Sequence, residues 1–67
     1  MNWQAELKGI MYVHGIKNID IADRLGIGRQ YVASIFTGKK NPHDAEEKFR
    51  AAVDEIIAEK GERDGER

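Results

Sequence analysis

The sequence predicts an all-α fold: a compact four-helix domain. Three observations predict it. Apolar residues recur at helical spacing in four separate segments. Each of those segments is followed by a glycine, at Gly15, Gly26, Gly38 and Gly61. No stretch alternates apolar and polar residues in the manner of a strand.

The first helix is carried by Trp3, Leu7, Ile10, Met11 and His14, which share one face. Asn2 is the predicted N-cap and Gly15 the left-handed residue after the helix. Gly9, inside it, either costs about 1 kcal/mol against alanine or marks a close helix–helix approach. The second helix runs from Lys17 or Asn18 to Leu25, with Ile21, Ala22 and Leu25 inward and Asp20 in the first turn, where the helix dipole favours an acid. The third begins after Gly28, its N-cap, places Val32, Ile35 and Phe36 inward and stops at Gly38. Asn41-Pro42 reads as N-cap and first-turn proline of the last helix. That helix carries Ala45, Phe49, Ala52, Val53, Ile56 and Ile57 on one stripe and is expected to end at Gly61. One domain over residues 1–61, with a frayed polar tail at 62–67, follows. Connections of two to four residues force neighbouring helices to pack.

A chain of 67 residues buries only about 60% of its unfolded surface, so extra support is expected. There is no cysteine and there are only two histidines, His14 and His43. Disulfides and thiolate metal sites are therefore excluded, and a second chain is the support left. No cofactor or small-molecule ligand is expected. No apolar run approaches the ~20 residues of a membrane span. The start MNWQAELKG lacks a basic-then-apolar signal pattern, which predicts a cytoplasmic location. The net charge of −1 conceals a polarised chain. Residues 1–40 carry six basic and three acidic side chains (+3), and residues 41–67 carry five basic and nine acidic (−4).

The informative stretch is GIKNIDIADRLGIGRQYVASIFTGKKNP, residues 15–42. Two short helices meet at Gly26-Ile27-Gly28, where Gly26 supplies the left-handed backbone of a tight turn. Small Ala22 permits a close crossing, and Ile21, Leu25, Ile27, Val32 and Ile35 fall inward from both arms. This pattern resembles the helix-turn-helix of the lambda-repressor/Cro (XRE) family, in Ala22, Leu25-Gly26-Ile27, Val32, Ile35, and Gly38 with the following Lys-Lys-Asn-Pro. The resemblance implies a second helix lying in the DNA major groove. It also implies a phosphate contact at the first residue of the earlier helix, usually glutamine and here Asn18. Lys17 stands where the family has a capping Ser or Thr, which predicts Asn18 as the cap instead. The implied base-reading positions are Arg29, Gln30, Ala33 and Ser34. Phe36, where many members have glutamate, is similar to the phage-repressor branch. A fifth helix, common in the family, has no counterpart beyond the single long last helix.

Residue chemistry suits these roles independently. Arginine pairs with guanine O6 and N7, and glutamine with adenine N6 and N7, each worth about 1–3 kcal/mol of discrimination. Ser34 can donate or accept, and the Ala33 methyl can meet a thymine methyl. Tyr31, Thr37, Lys39 and Lys40 suit sugar or phosphate, which position a protein without specifying sequence. Other residues have plainer readings: His14 as a packed boundary residue, His43 exposed in the first turn of the last helix, Trp3 and Phe49 as core. The acids of the last helix read as a solvated face with i,i+4 pairs, and Asp20 and Asp23 as partners of Arg24 or Lys17. Ile56 and Ile57 are predicted to extend past the other helices and pair with a second subunit. A two-fold dimer would set its recognition helices about 34 Å apart, one turn of DNA.

The sequence thus predicts a sequence-specific double-stranded DNA-binding regulator, a small phage or mobile-element repressor of Cro type acting as a homodimer on an operator. The rival is a helix-turn-helix scaffold that binds and inhibits a host enzyme. No nucleophile–base set or phosphate-binding glycine loop presents itself, so an enzyme is not expected.

Overall fold

The computed structural model describes residues 2–65, with side chains through residue 61. It is all-α: α1 (Trp3–His14), α2 (Asn18–Leu25), α3 (Arg29–Phe36) and α4 (Ala45–Gly65), with no strand among the described residues.

Local chemistry sets most of the boundaries. The Asn2 side chain accepts from the Ala5 amide at 2.8 Å and starts α1. Gly15, at φ 69°, ends it. The Ile16 amide then reaches back to the Met11 carbonyl at 2.8 Å and the Gly15 amide to Tyr12 at 3.2 Å. That is a Schellman exit, whose following apolar residue packs back on the helix; Ile16 is accordingly buried. Gly26, at φ 70°, repeats the device after α2, with the Ile27 amide on the Ala22 carbonyl at 3.0 Å.

Four boundary expectations change. Lys17, not Asn18, holds the extended N-cap backbone of α2, and Asn18 is the first helical residue. A lysine ammonium has no lone pair with which to cap. The cap is made from the other side, by the Asp20 carboxylate accepting from the Lys17 amide at 2.8 Å. The α4 start moves from Pro42 to Ala45, because Pro42 closes a turn (Ala45 amide to Pro42 carbonyl, 3.1 Å) and Asp44 accepts the first helical bond, from Lys48. The α3–α4 connection is therefore residues 37–44, longer than the two to four residues expected, and His43 lies in it rather than in the helix. Finally, α4 runs through Gly61 to Gly65. One glycine among Glu, Lys and Arg costs only about 1 kcal/mol, less than the flanking helix formers can absorb. Of the tail expected at 62–67, residues 66 and 67 lie outside the described residues.

The core joins Leu7 and Met11 of α1, Ile21 and Ala22 of α2, Val32 and Ile35 of α3, and Ala45, Phe49, Ala52, Val53 and Ile56 of α4. No buried polar residue interrupts it among the described residues. Trp3, Phe36 and Phe49 close one end: Trp3 meets Phe49 edge-on at 5.9 Å and Phe36 at 6.2 Å, and the two phenyl rings lie 5.3 Å apart. Such tilted pairs add about 0.5–1.5 kcal/mol each beyond burial. Ile56 is only 8% exposed, and Ile57 is half-buried against the same core. Neither extends past the other helices, because α1 and α2 reach along α4 as far as these residues. His14 is exposed rather than packed, and a side chain at Gly9 would meet nothing within 4 Å, so no close approach inside the chain explains that glycine.

Candidate nucleic-acid interface

α2 and α3 are eight-residue helices joined by the turn at residues 26–28, with Gly28 in extended backbone as the N-cap of α3. Burying Val32 and Ile35 fixes which way α3 faces. Gln30, Ala33, Ser34 and Thr37 then stand at i, i+3, i+4 and i+7, one outward stripe. Gln30 and Thr37 are exposed, and Ala33 and Ser34 half-exposed. Arg29, exposed at the first position of α3, flanks the stripe.

Two hydroxyls on this stripe are already committed as donors. Ser34 Oγ donates to the Gln30 carbonyl at 3.0 Å, and Thr37 Oγ1 to the Ser34 carbonyl at 3.1 Å. Each therefore presents lone pairs outward, so Ser34 is set up to accept rather than to donate. Gly38, at φ 87°, turns the chain after α3 and leaves Lys39 and Lys40 exposed beside its end.

A recess of about 280 Å³ runs along one flank of the stripe, lined by Asn2, Gln4, Ala5, Lys8, Asn18, Ala33, Phe36 and Thr37. It gathers Asn18, Ala33 and Thr37 with residues the sequence reading passed over. Lys8 Nζ donates to Asn18 Oδ1 at 3.0 Å and sits 5.0 Å from the Phe36 ring centroid, a cation–π contact. Gln4 Nε2 reaches the Ile35 carbonyl near the end of α3 at 3.5 Å. Asn18, which does not cap α2, lines this recess with its Oδ1 held by Lys8, beside the positive end of the α2 dipole. The signal for Lys8 was present in the sequence: it is three residues before Met11 and so flanks the buried face of α1.

Tyr31 does not join this group. It lines a separate recess of about 300 Å³ with Leu25, Ile27, Ile35, Pro42 and Phe49, and with the charged Asp44 and Lys48, on the opposite flank of α3.

The charges sort by face. Among the described residues, Lys8, Lys17, Arg29, Lys39 and Lys40 enter no ion pair, nor does Lys60, which donates to the His14 carbonyl at 2.8 Å, whereas Arg24, Lys48 and Arg50 all do. Arg24 forks onto Glu55 at 3.3 Å and Glu59 at 2.5 Å, tying α2 to α4. Glu59 and then Glu55 hold its guanidinium above its ordinary pKa. Arg50 joins Glu6 of α1 at 2.6 Å and Glu46 at 2.9 Å, and both carboxylates raise its pKa. Asp44, bonded to Lys48 at 3.1 Å, is held below the usual carboxylate value. The i,i+4 pairs on α4 match the sequence expectation. Arg24, by contrast, serves α4 rather than Asp20 or Asp23. A recess of about 670 Å³ between α2 and α4 is lined by Asp20, Asp23, Glu55 and Glu59 with Arg24 and Lys60, the wrong balance for a polyanion.

No helix among the described residues is long and apolar enough to cross a membrane. Compared with known proteins, the chain has no match among family models, curated proteins or solved structures.

Proposed function

We propose that the protein is a sequence-specific double-stranded DNA-binding regulator, a lambda-repressor/Cro-type helix-turn-helix that acts in the cytoplasm as a dimer on an operator and excludes polymerase. The supporting observation is the charge sorting. Lys8, Arg29, Lys39 and Lys40, beside α3 and the recess, are left without acids, while Arg24, Lys48 and Arg50 are held in ion pairs. Unpaired lysine and arginine are what a phosphate backbone rewards, because each contact releases a condensed counterion.

In this reading α3 lies in the major groove. Arg29 and Gln30 present forked donors and acceptors to base edges, the Ala33 methyl meets thymine, and Ser34 accepts. Lys8, Asn18, Thr37, Lys39 and Lys40 hold phosphates on either side and fix the register. Tyr31, on the far flank of α3, reaches only the opposite edge of the groove.

The rival reading, a scaffold that binds and inhibits a host enzyme, draws support from the acid-lined recess between α2 and α4. Titration against random duplex DNA at 50 and 200 mM salt separates the two. Salt-sensitive binding supports the regulator; absence of binding at 50 mM removes it in favour of the rival.

A further inference from the structure

α1 buries Leu7 and Met11 and turns Ala5, Gly9, Tyr12 and Val13 to solvent at i, i+4, i+7 and i+8. Tyr12 is 87% and Val13 78% exposed, far above Ile10 at the stripe's edge, at 37%. In a chain with 34% charged residues this stripe contains none, although Glu6 and Lys8 flank it on either side. At its centre stands Gly9, exposed, with nothing near the position of a side chain. Glycine weakens a helix, and nothing inside the chain requires one here.

We propose that this stripe docks a second copy of the chain, α1 antiparallel to α1 across a two-fold axis, with the helices crossing at Gly9. It deepens the dimeric part of the function proposed above. The choice of occupant follows from charge. A two-fold contact lays a surface on itself, so every charge near the axis meets its like. The cationic α3 face and the acid-lined α2–α4 recess would each repel their own copies; the uncharged stripe does not. A crossing at Gly9 also sets Ala5 beside Val13 of the partner subunit, small against large, while Gly9 lets the backbones approach.

The direction of the stripe fits a DNA-bound pair. Lys8, at the mouth of the recess, lies about a quarter turn around α1 from the stripe. A two-fold axis along the direction in which Lys8 faces keeps both recesses on the same side of the dimer. The area sets the strength. The stripe offers on the order of 400 Å² per copy, half the ~800 Å² per partner of a standard interface. Self-association is therefore weak in free solution and is completed when two copies share one duplex.

The experiment uses the free protein, so that its outcome is separate from that of DNA binding. Sedimentation equilibrium and amide chemical shifts are followed from tens of micromolar to about 1 mM. The expected result is a rise in mass toward the dimer, with concentration-dependent shifts centred on residues 5–13. Val13→Glu places like charges near the axis and should weaken association at least tenfold without lowering the melting temperature. Gly9→Gln should raise the melting temperature, as a better helix former in open space, yet weaken association at least tenfold. Those opposite movements distinguish an interface from a folding effect. A monomer throughout the range, shifts centred elsewhere, or association unchanged in both variants overturns the proposal. DNA binding by a chain that stays monomeric up to 1 mM sinks this interface alone.

Discussion

Lys39 and Arg50 have the same formal charge and opposite circumstances, and removing each in turn tests the charge sorting. Lys39 is exposed beside the end of α3 and enters no ion pair among the described residues; Arg50 is held by Glu6 and Glu46. With the three cations placed on phosphates above, Lys8, Lys39 and Lys40, the log–log salt slope is about −2.7 per chain at ~0.9 per contact. A fourfold rise in salt, 50 to 200 mM, then lowers affinity roughly 40-fold. Lys39→Ala leaves two contacts, a slope of about −1.8 and a loss of roughly 12-fold. Arg50→Gln should leave the slope at its original value, since its charge was never available to the duplex. Fluorescence anisotropy with a labelled random duplex, at four or more salt concentrations, measures all three proteins. Equal changes in slope from the two substitutions would refute the argument that pairing decides which cations bind.

Arg29→Ala or Gln30→Ala should flatten preference at one base pair of a selected site by about 1–3 kcal/mol, whereas Lys39→Ala weakens all sequences alike; competition binding against single-base operator variants reads the difference. Ile56→Ala should cost about 2–5 kcal/mol and lower the melting temperature of a chain this size by at least about 15 °C, independent of protein concentration. A concentration-dependent loss would return Ile56 to an interface. Asp44→Asn keeps the size of the side chain but loses the Lys48 ion pair. Because the folded pKa of Asp44 is lowered, its contribution is present above the usual aspartate value near 4 and fades as pH falls through the depressed one. Urea unfolding should therefore find the variant less stable than wild type at pH 7, with the gap closing toward pH 3.

Sequence reasoning succeeded where the cause lies within one turn of chain. Asn2, Gly15, Gly26 and Gly28 each act on backbone three or four residues away, and the inward faces of α2, α3 and α4 follow from spacing alone, whereas on α1 Leu7 and Met11 are buried but Ile10 and His14 are exposed. Boundaries slipped where two local devices compete. Asn41-Pro42 announces a helix start, but the turn closed by the Ala45 amide on the Pro42 carbonyl delays the helix to Ala45. Lys17 misled because the capping partner is Asp20, three residues on, rather than the residue at the cap. The remaining errors are long-range. That Ile56 is spent on the chain's own core depends on how far α1 and α2 reach along α4, which periodicity cannot carry. Arg24 with Glu55 and Glu59, and Arg50 with Glu6, join residues 31 to 44 positions apart. The stripe of α3 was legible because helical spacing fixes it; the recess beside it was not, because it needs α1 laid against α3.

Trp3 is the only tryptophan of the chain, and its surroundings turn it into a built-in meter. Its indole lies 6.2 Å from the Phe36 ring, whose face holds the Lys8 ammonium 5.0 Å from the centroid. An anion that settles on Lys8 draws the ammonium off that ring and alters the electric field at the indole. Emission excited at wavelengths that only the indole absorbs, beyond the two tyrosines, should then follow occupancy of the recess. Contacts made only along the far flank of α3, near Tyr31, leave it silent, so an unlabelled protein can report which edge of its surface a ligand has touched.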